Sequence, residues 1–144
     1  MAQTYVLPKG LKDCGETTAE AAIRETHEAT GYRCKLLACT MITRAPEPNV
    51  NMIDAPHVVK DATEPFAMTL GSLRKEGGTR ITWWYLTIVT DGAKREETQA
   101  DEADACSEFI EVREAIETLT FQDDKEVARK ALSLLEGSEM DPVV

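Results

Sequence analysis

The sequence predicts a single mixed α/β domain, and three observations carry that prediction. A capped helix near the N-terminus, a series of short β-branched and aromatic segments, and an amphipathic C-terminal helix share 144 residues, a length suited to one domain. The folded unit is expected over residues 1–136, with 137–144 as a flexible tail. Hydrophobic residues make up 42% and charged residues 29%, with 8 Gly and 6 Pro, which excludes collagen-like, disordered and mucin-like classes. Sixteen Lys and Arg against 26 Asp and Glu give a net charge of −10, arguing against a nucleic-acid partner or an anionic membrane surface. No apolar run approaches the roughly 18 residues of a membrane helix. The longest, Ile81 to Val89, is interrupted by Thr82 and Thr87. The first residues lack the basic and apolar regions of a secretory leader, so a cytoplasmic location is expected. Cys14, Cys34, Cys39 and Cys106 form no CxxC pair and are read as free thiols.

Along the chain, Tyr5-Val6-Leu7 reads as a short strand ended by Pro8, followed by a turn-rich loop to Gly15. Thr17-Thr18-Ala19-Glu20 has the form of a capping box, in which Thr17 and Glu20 satisfy each other's backbone N–H groups. Ala19, Ala21 and Ala22 favour a helix, Glu20–Arg24 and Arg24–Glu28 are i,i+4 pairs, and Gly31 is a natural stop. These signals predict a helix over 18–30. A strand is expected within Arg33 to Arg44, a long irregular loop over Ala45 to Thr63, and a strand over Pro65 to Leu73. Gly77-Gly78 marks a turn into the strongest strand, Arg80 to Thr90, so the last two strands form a hairpin. Residues 91–106 are polar and acidic. Glu108 to Val112 reads as a short strand, Arg113 to Leu119 as a helix, and the final helix is expected from Asp123 or Asp124 to Glu136.

The chemistry-bearing motif reads Gly10, five residues, Glu16, seven residues, then Arg24-Glu25-Thr26-His27-Glu28-Ala29-Thr30-Gly31-Tyr32. Its glycines, glutamates and arginine fall at the spacing of the Nudix box, which it closely resembles. The residues themselves make the chemistry intelligible. Glu25 and Glu28 are three apart, so their carboxylates share one helix face, where hard oxygen donors converge on a divalent cation such as Mg²⁺ or Mn²⁺. Arg24 can hold Glu16 bidentately and fix the loop over the helix. Gly10 lets the chain turn and brings the Lys9 carbonyl toward the metal, and the resemblance implies that this carbonyl is a ligand. Lys9, Lys12, Arg33, Lys35 and Arg44 flank the motif as a basic rim for polyphosphate, with Lys9, Lys12 and Arg44 as expected substrate contacts.

The chain departs from the Nudix pattern in three places. Ala29 stands where the family carries a second consecutive glutamate, usually a direct metal ligand. Glu96, Glu97, Asp101, Glu102 and Asp104 in the acidic segment are the candidates to replace it. Thr26 stands in for an apolar residue whose packing its methyl group can supply. The box also begins ten residues from Met1, leaving room only for Tyr5 to Leu7 before it. The resemblance therefore implies a Nudix-like α/β/α sandwich whose mixed β-sheet is N-terminally truncated. The open edge of such a sheet predicts a homodimer. Thr40 to Pro46, Glu64-Pro65-Phe66, Trp83-Trp84-Tyr85 and Leu119 to Asp124 are similar to fungal Nudix-domain proteins of the diphosphoinositol-polyphosphate group.

The activity so implied is metal-dependent hydrolysis of a diphosphate linkage in a small molecule, with Glu16, Arg24, Glu25 and Glu28 as site residues. Candidate substrates are a diphosphoinositol phosphate, a nucleoside polyphosphate and an isoprenoid diphosphate. Ala29 keeps two other classes open: a binding or scaffold protein without turnover, and a biosynthetic enzyme that uses the fold without hydrolysis. His27 is expected to face solvent and His57 to be an ordinary loop residue. Of the aromatic run, one residue is expected in the core and another on a pocket wall.

Overall fold

A computed structural model of the chain describes residues 3–98 and 105–139. Helix α1 spans Thr18–Thr30 and is capped as its sequence dictates. The Glu20 N–H donates to Thr17 Oγ1 at 3.1 Å, and the Thr17 N–H to Glu20 Oε2 at 2.8 Å. Gly31 closes the helix in the left-handed region at φ 79°, its N–H donating to the His27 carbonyl at 2.7 Å. Glu20 is engaged in the cap, and Arg24 is turned toward Glu16, Glu25 and Glu28.

Six strands follow: β1 Cys34–Leu36, β2 Cys39–Thr43, β3 His57–Ala62, β4 Ala67–Ser72, β5 Thr79–Trp84 and β6 Thr87–Val89. They pair as β1 with β6, β2 with β3, and β4 with β5, all antiparallel among the described residues, where a mixed sheet was expected. The expected strand within Arg33 to Arg44 divides at Leu37-Ala38, and that over Arg80 to Thr90 divides at Tyr85-Leu86. The two breaks meet, since the Leu37 N–H donates to the Leu86 carbonyl at 2.9 Å. Each segment thereby changes pairing partner, and Leu86 packs against the Cys39, Met41 and Ala62 cluster. The expected loop over 45–63 contains β3, whose pairing with β2 shifts register between Cys39 and Met41 and whose Asp61 has φ 55°. The β4–β5 hairpin forms as expected.

Tyr5 to Leu7 lies extended along the C-terminal helices rather than in a sheet. The Tyr5 N–H donates to the Thr120 side-chain Oγ1 at 2.8 Å, and the Tyr5 carbonyl accepts from the Thr120 N–H at 3.0 Å. The Leu7 N–H donates to buried Asp124 at 3.2 Å. The expected strand over Glu108 to Val112 is replaced by an irregular segment leading into helix α2, Val112–Thr118. Glu111 caps α2, accepting from the Arg113 and Glu114 N–H groups, and these bonds hold its carboxyl below the usual range. Helix α3 spans Gln122–Glu139 and packs on α2 and β2. It runs past the expected end at Glu136, with Gly137 helical.

Among the described residues, buried side chains gather in two small clusters. Cys39, Met41 and Ala62 gather with Val59, Leu86 and Leu134, while Ile116, Leu119 and Ala128 gather with Leu7, Val112 and Leu132. Cys14, Cys34, Cys39 and Cys106 are free, and burial pushes the Cys34 and Cys39 thiols up, away from thiolate chemistry. None of the described helices is long and apolar enough to cross a membrane.

Candidate active site

The loop before α1 and the helix itself are joined through one guanidinium. Arg24 donates to Glu16 through Nε at 2.7 Å and Nη2 at 2.9 Å, a bidentate pair, and its Nη2 also reaches the Leu11 carbonyl at 2.8 Å. Glu16 in turn accepts from the Asp13 N–H at 2.8 Å. The Arg24 bonds, followed by that backbone donor, hold the Glu16 carboxyl down to about 2. The same contacts, Glu16 first and Glu25 second, raise Arg24 further above its already high value. Lys12 Nζ donates to the Asp13 and Glu16 carbonyls, both at 2.9 Å, and closes the loop.

The third Arg24 nitrogen gathers the two motif carboxylates. Nη1 lies 2.8 Å from Glu25 Oε1 and 3.3 Å from Glu28 Oε2, so both acids share one face of α1. Glu25 rests directly on Gly10. A Cβ built at Gly10 would fall 1.9 Å from both Cδ and Oε2 of Glu25, so only glycine leaves the carboxylate its place against the backbone that carries the Lys9 carbonyl. Here the geometric role of Gly10 is close approach; the expected turn does not appear, since Gly10 is outside the left-handed region and the loop turns at Cys14-Gly15 instead.

A cleft of about 420 Å³ opens beside this contact. Lys9, Gly10, Leu11 and Lys12 form one rim, Thr18, Ala21, Glu25 and Thr26 of α1 a second, and the run Arg80 to Tyr85 the opposite wall. The Thr18 and Tyr85 hydroxyls, 2.6 Å apart, tie the two sides together. Trp84 is buried, donating from Nε1 to Thr69 Oγ1 at 3.0 Å, whereas Trp83 is 46% exposed in the cleft. That is the division expected for adjacent residues on a strand. Arg80 is a cleft cation that sequence reading missed, since it follows the Gly77-Gly78 turn with no local motif to mark it.

The expected basic rim does not assemble as one group. Lys9 and Lys12 line the cleft, but Arg44 lies outside its lining, on the loop after β2, paired with Asp54 at 3.0 Å. Arg33 sits on the other flank of α1, 3.0 Å from Glu96. His27, expected in solvent, faces that flank too. Its Nε2 is buried without a well-formed hydrogen bond, with Glu96 Oε2 3.4 Å away. His57 opens β3 with its Nδ1 3.3 Å from the Ala55 carbonyl, and it does not line the cleft. Glu96, one candidate for the missing ligand, is therefore engaged by Arg33 and His27, while Asp101, Glu102 and Asp104 lie outside the described residues. The segment carrying Glu96 is fastened across the end of α1: its N–H donates to the Gly31 carbonyl at 2.7 Å, and Thr98 Oγ1 donates to the Glu28 carbonyl at 2.5 Å.

A family model described as the NUDIX domain matches residues 2–132. The chain belongs to the NUDIX family. No curated protein matches it. NUDIX domains are generally diphosphate hydrolases that act on small molecules and typically use Mg²⁺. The match gives no support to the diphosphoinositol-polyphosphate subgroup or to a truncated sheet. The α/β elements and small antiparallel sheets are consistent with a NUDIX fold.

The donor set of this NUDIX site suits a hard cation. Glu25, Glu28 and the Lys9 carbonyl are all oxygen donors, and the Gly10 cradle holds Glu25 Oε2 against the backbone. No group of three His, Cys, Asp or Glu gathers among the described residues. That set fits Mg²⁺, which keeps several waters and takes one or two carboxylates with substrate phosphates.

Proposed function

We propose that this NUDIX domain hydrolyses a diphosphate linkage in a small molecule with a divalent cation, Mg²⁺ or Mn²⁺, held by Glu25, Glu28 and the Lys9 carbonyl. The observation that carries the reading is the convergence of Glu25 and Glu28 on Arg24 Nη1, with Glu25 seated on Gly10 at the mouth of the cleft. When bound, the cation neutralises the diphosphate oxygens and polarises the phosphorus for attack. Arg24 and Glu16 act as positioning residues: they hold the loop and both carboxylates in register, and neither lines the cleft. Lys9, Lys12 and Arg80 supply positive charge for the diphosphate along the cleft. Glu28, the more exposed acid with the longer Arg24 contact, orients the attacking water. The new O–P bond forms as the bridging P–O bond breaks, and the departing phosphate carries the charge.

A second reading rests on Ala29. With that ligand position apolar and Glu96 committed to Arg33 and His27, the site is also that of a binding protein without turnover. Phosphate release from a panel of diphosphate substrates, with Glu28→Gln and Ala29→Glu in parallel, separates the two. Release that Glu28→Gln abolishes supports the hydrolase. No release from the parent chain, with a gain in Ala29→Glu, supports the binding protein.

A further inference from the structure

The N-terminal segment is fastened to the C-terminal helices before it reaches the site. The Tyr5 N–H donates to Thr120 Oγ1 at 2.8 Å, and the Leu7 N–H donates to Asp124 Oδ2 at 3.2 Å, 117 positions along the chain. Leu7 also packs against the Ile116, Leu119 and Ala128 cluster. Asp124 is buried, 6% exposed, in the first turn of α3, whereas its neighbour Asp123 is exposed. An acid in a first turn complements the helix dipole while remaining in water. Burying one costs desolvation, and Asp124 directs an oxygen at a distant backbone N–H. The dipole therefore accounts for Asp123 and leaves the burial of Asp124 to be explained.

Two residues beyond Leu7 stands Lys9, whose carbonyl belongs to the proposed cation site. Pro8 lies between them. Its ring locks φ at about −65° and confines the preceding Leu7 to extended backbone, so few free torsions separate the Leu7 N–H from the Lys9 carbonyl. On the far side, the Leu11 carbonyl accepts from Arg24 Nη2 at 2.8 Å. The span Pro8 to Gly10 thus runs between an anchor on α3 and an anchor on α1, and Glu25 rests on it at Gly10. The α3 anchor is itself braced, since Lys125 Nζ donates to the Ile116 and Glu117 carbonyls of α2 at 2.8 and 2.9 Å.

We propose that Asp124 is a positioning residue for the cation site: through the Leu7 N–H it sets where the Lys9 carbonyl and Gly10 stand against Glu25. Asp124 does not line the cleft and acts only through the backbone it holds. The inference rests on the proposed cation site and extends it to a residue near the other end of the chain.

The test is the Mn²⁺ affinity of the full chain by titration calorimetry, in variants whose thermal unfolding shows them folded at the temperature used. Asp124→Ala is expected to weaken binding about tenfold, the scale on which groups that orient metal ligands act. Asp124→Asn keeps an acceptor oxygen for the Leu7 N–H and is expected to recover the parent affinity to within about threefold. Asp123→Ala alters the same turn of α3 from an exposed position and is expected to bind as the parent does. Thr120→Val removes the side-chain acceptor of the Tyr5 N–H from an exposed position, with an expected loss of about threefold. If Asp124→Ala does not fold, Thr120→Val decides the matter, and parent affinity in that chain overturns the inference. A merely structural Asp124 would lower the unfolding temperature and leave the Mn²⁺ affinity of the folded Asp124→Ala chain unchanged. That result, or an Asp124→Asn chain as weak as Asp124→Ala, or an equal loss in Asp123→Ala, overturns the inference and leaves the cation site standing. A parent chain that binds no Mn²⁺, or binds it no better than Glu25→Gln does, overturns both.

Discussion

On the α1 side of the cleft, Glu25 is fixed by an arginine nitrogen at 2.8 Å and by a glycine that leaves no room for a Cβ. On the β5 side, Trp83 stands 46% exposed between Ile81 and the hairpin's outer face. The first wall is built from polar groups close in sequence, each with a named partner. The second is built from apolar side chains whose place depends on strand register. The contrast separates two tasks in such a site, gripping charge at a set geometry and accepting a shape.

Gly10→Ala tests the polar wall with the largest expected effect. The added methyl displaces the Glu25 carboxylate, a flexible side-chain end that can move aside. Metal-dependent phosphate release should fall about 10–100-fold. Unfolding free energy should change by less than about 1 kcal/mol. A normal rate in a folded Gly10→Ala chain would break the cradle. On the apolar wall the adjacent tryptophans should part company in urea unfolding. Trp84→Phe removes the Nε1 bond to Thr69 and costs about 1 kcal/mol. Trp83→Ser, on the exposed face, stays within about 0.5 kcal/mol. Equal costs would show that the two do not divide between core and cleft.

Acid sharpens the same comparison. Glu16 is depressed from 4.5 to about 2 by Arg24 and the Asp13 N–H. A folded-state value below the unfolded one contributes stability that is fully present above pH 4.5 and is lost as pH falls toward about 2. Acid unfolding of the parent should therefore show this loss, and Glu16→Gln should lack that component. The hairpin wall carries no carboxylate in β4 or β5, so Leu70→Ser should leave the acid limb unchanged. The smallest effect belongs to Arg44→Ala. Arg44 is paired with Asp54 away from the cleft, so phosphate release should change by less than about twofold, since a surface pair of this kind contributes little.

Legibility in the sequence followed the same division. Helix α1 could be bounded from Thr17, Glu20 and Gly31 because capping chemistry is local. The Arg24–Glu16 brace was legible for the same reason. The breaks at Leu37-Ala38 and Tyr85-Leu86 were not, since they arise where two distant segments exchange partners. Strand β3 hid in a Pro- and Asn-rich stretch because its pairing is supplied by β2 across a register shift. Tyr5 to Leu7 had the composition of a strand, but its N–H groups are taken by the side chains of Thr120, just before α3, and Asp124, in its first turn. Arg44 looked like a rim cation until Asp54 claimed it, and Arg80 carried no signal until the hairpin brought it to the cleft. His27 read as solvent-facing because helical periodicity gives no warning that Glu96 will cross the end of α1.

In the proposed site two motif carboxylates, with Ala29 beside them, hold a divalent cation. Titrating the protein into Mn²⁺ and following the electron paramagnetic resonance signal of the free ion tests it most directly. The signal should fall as the parent chain is added, and Glu25→Gln should restore it while leaving the fold intact. A free-ion signal unchanged by the parent chain, or removed equally well by Glu25→Gln, would contradict it.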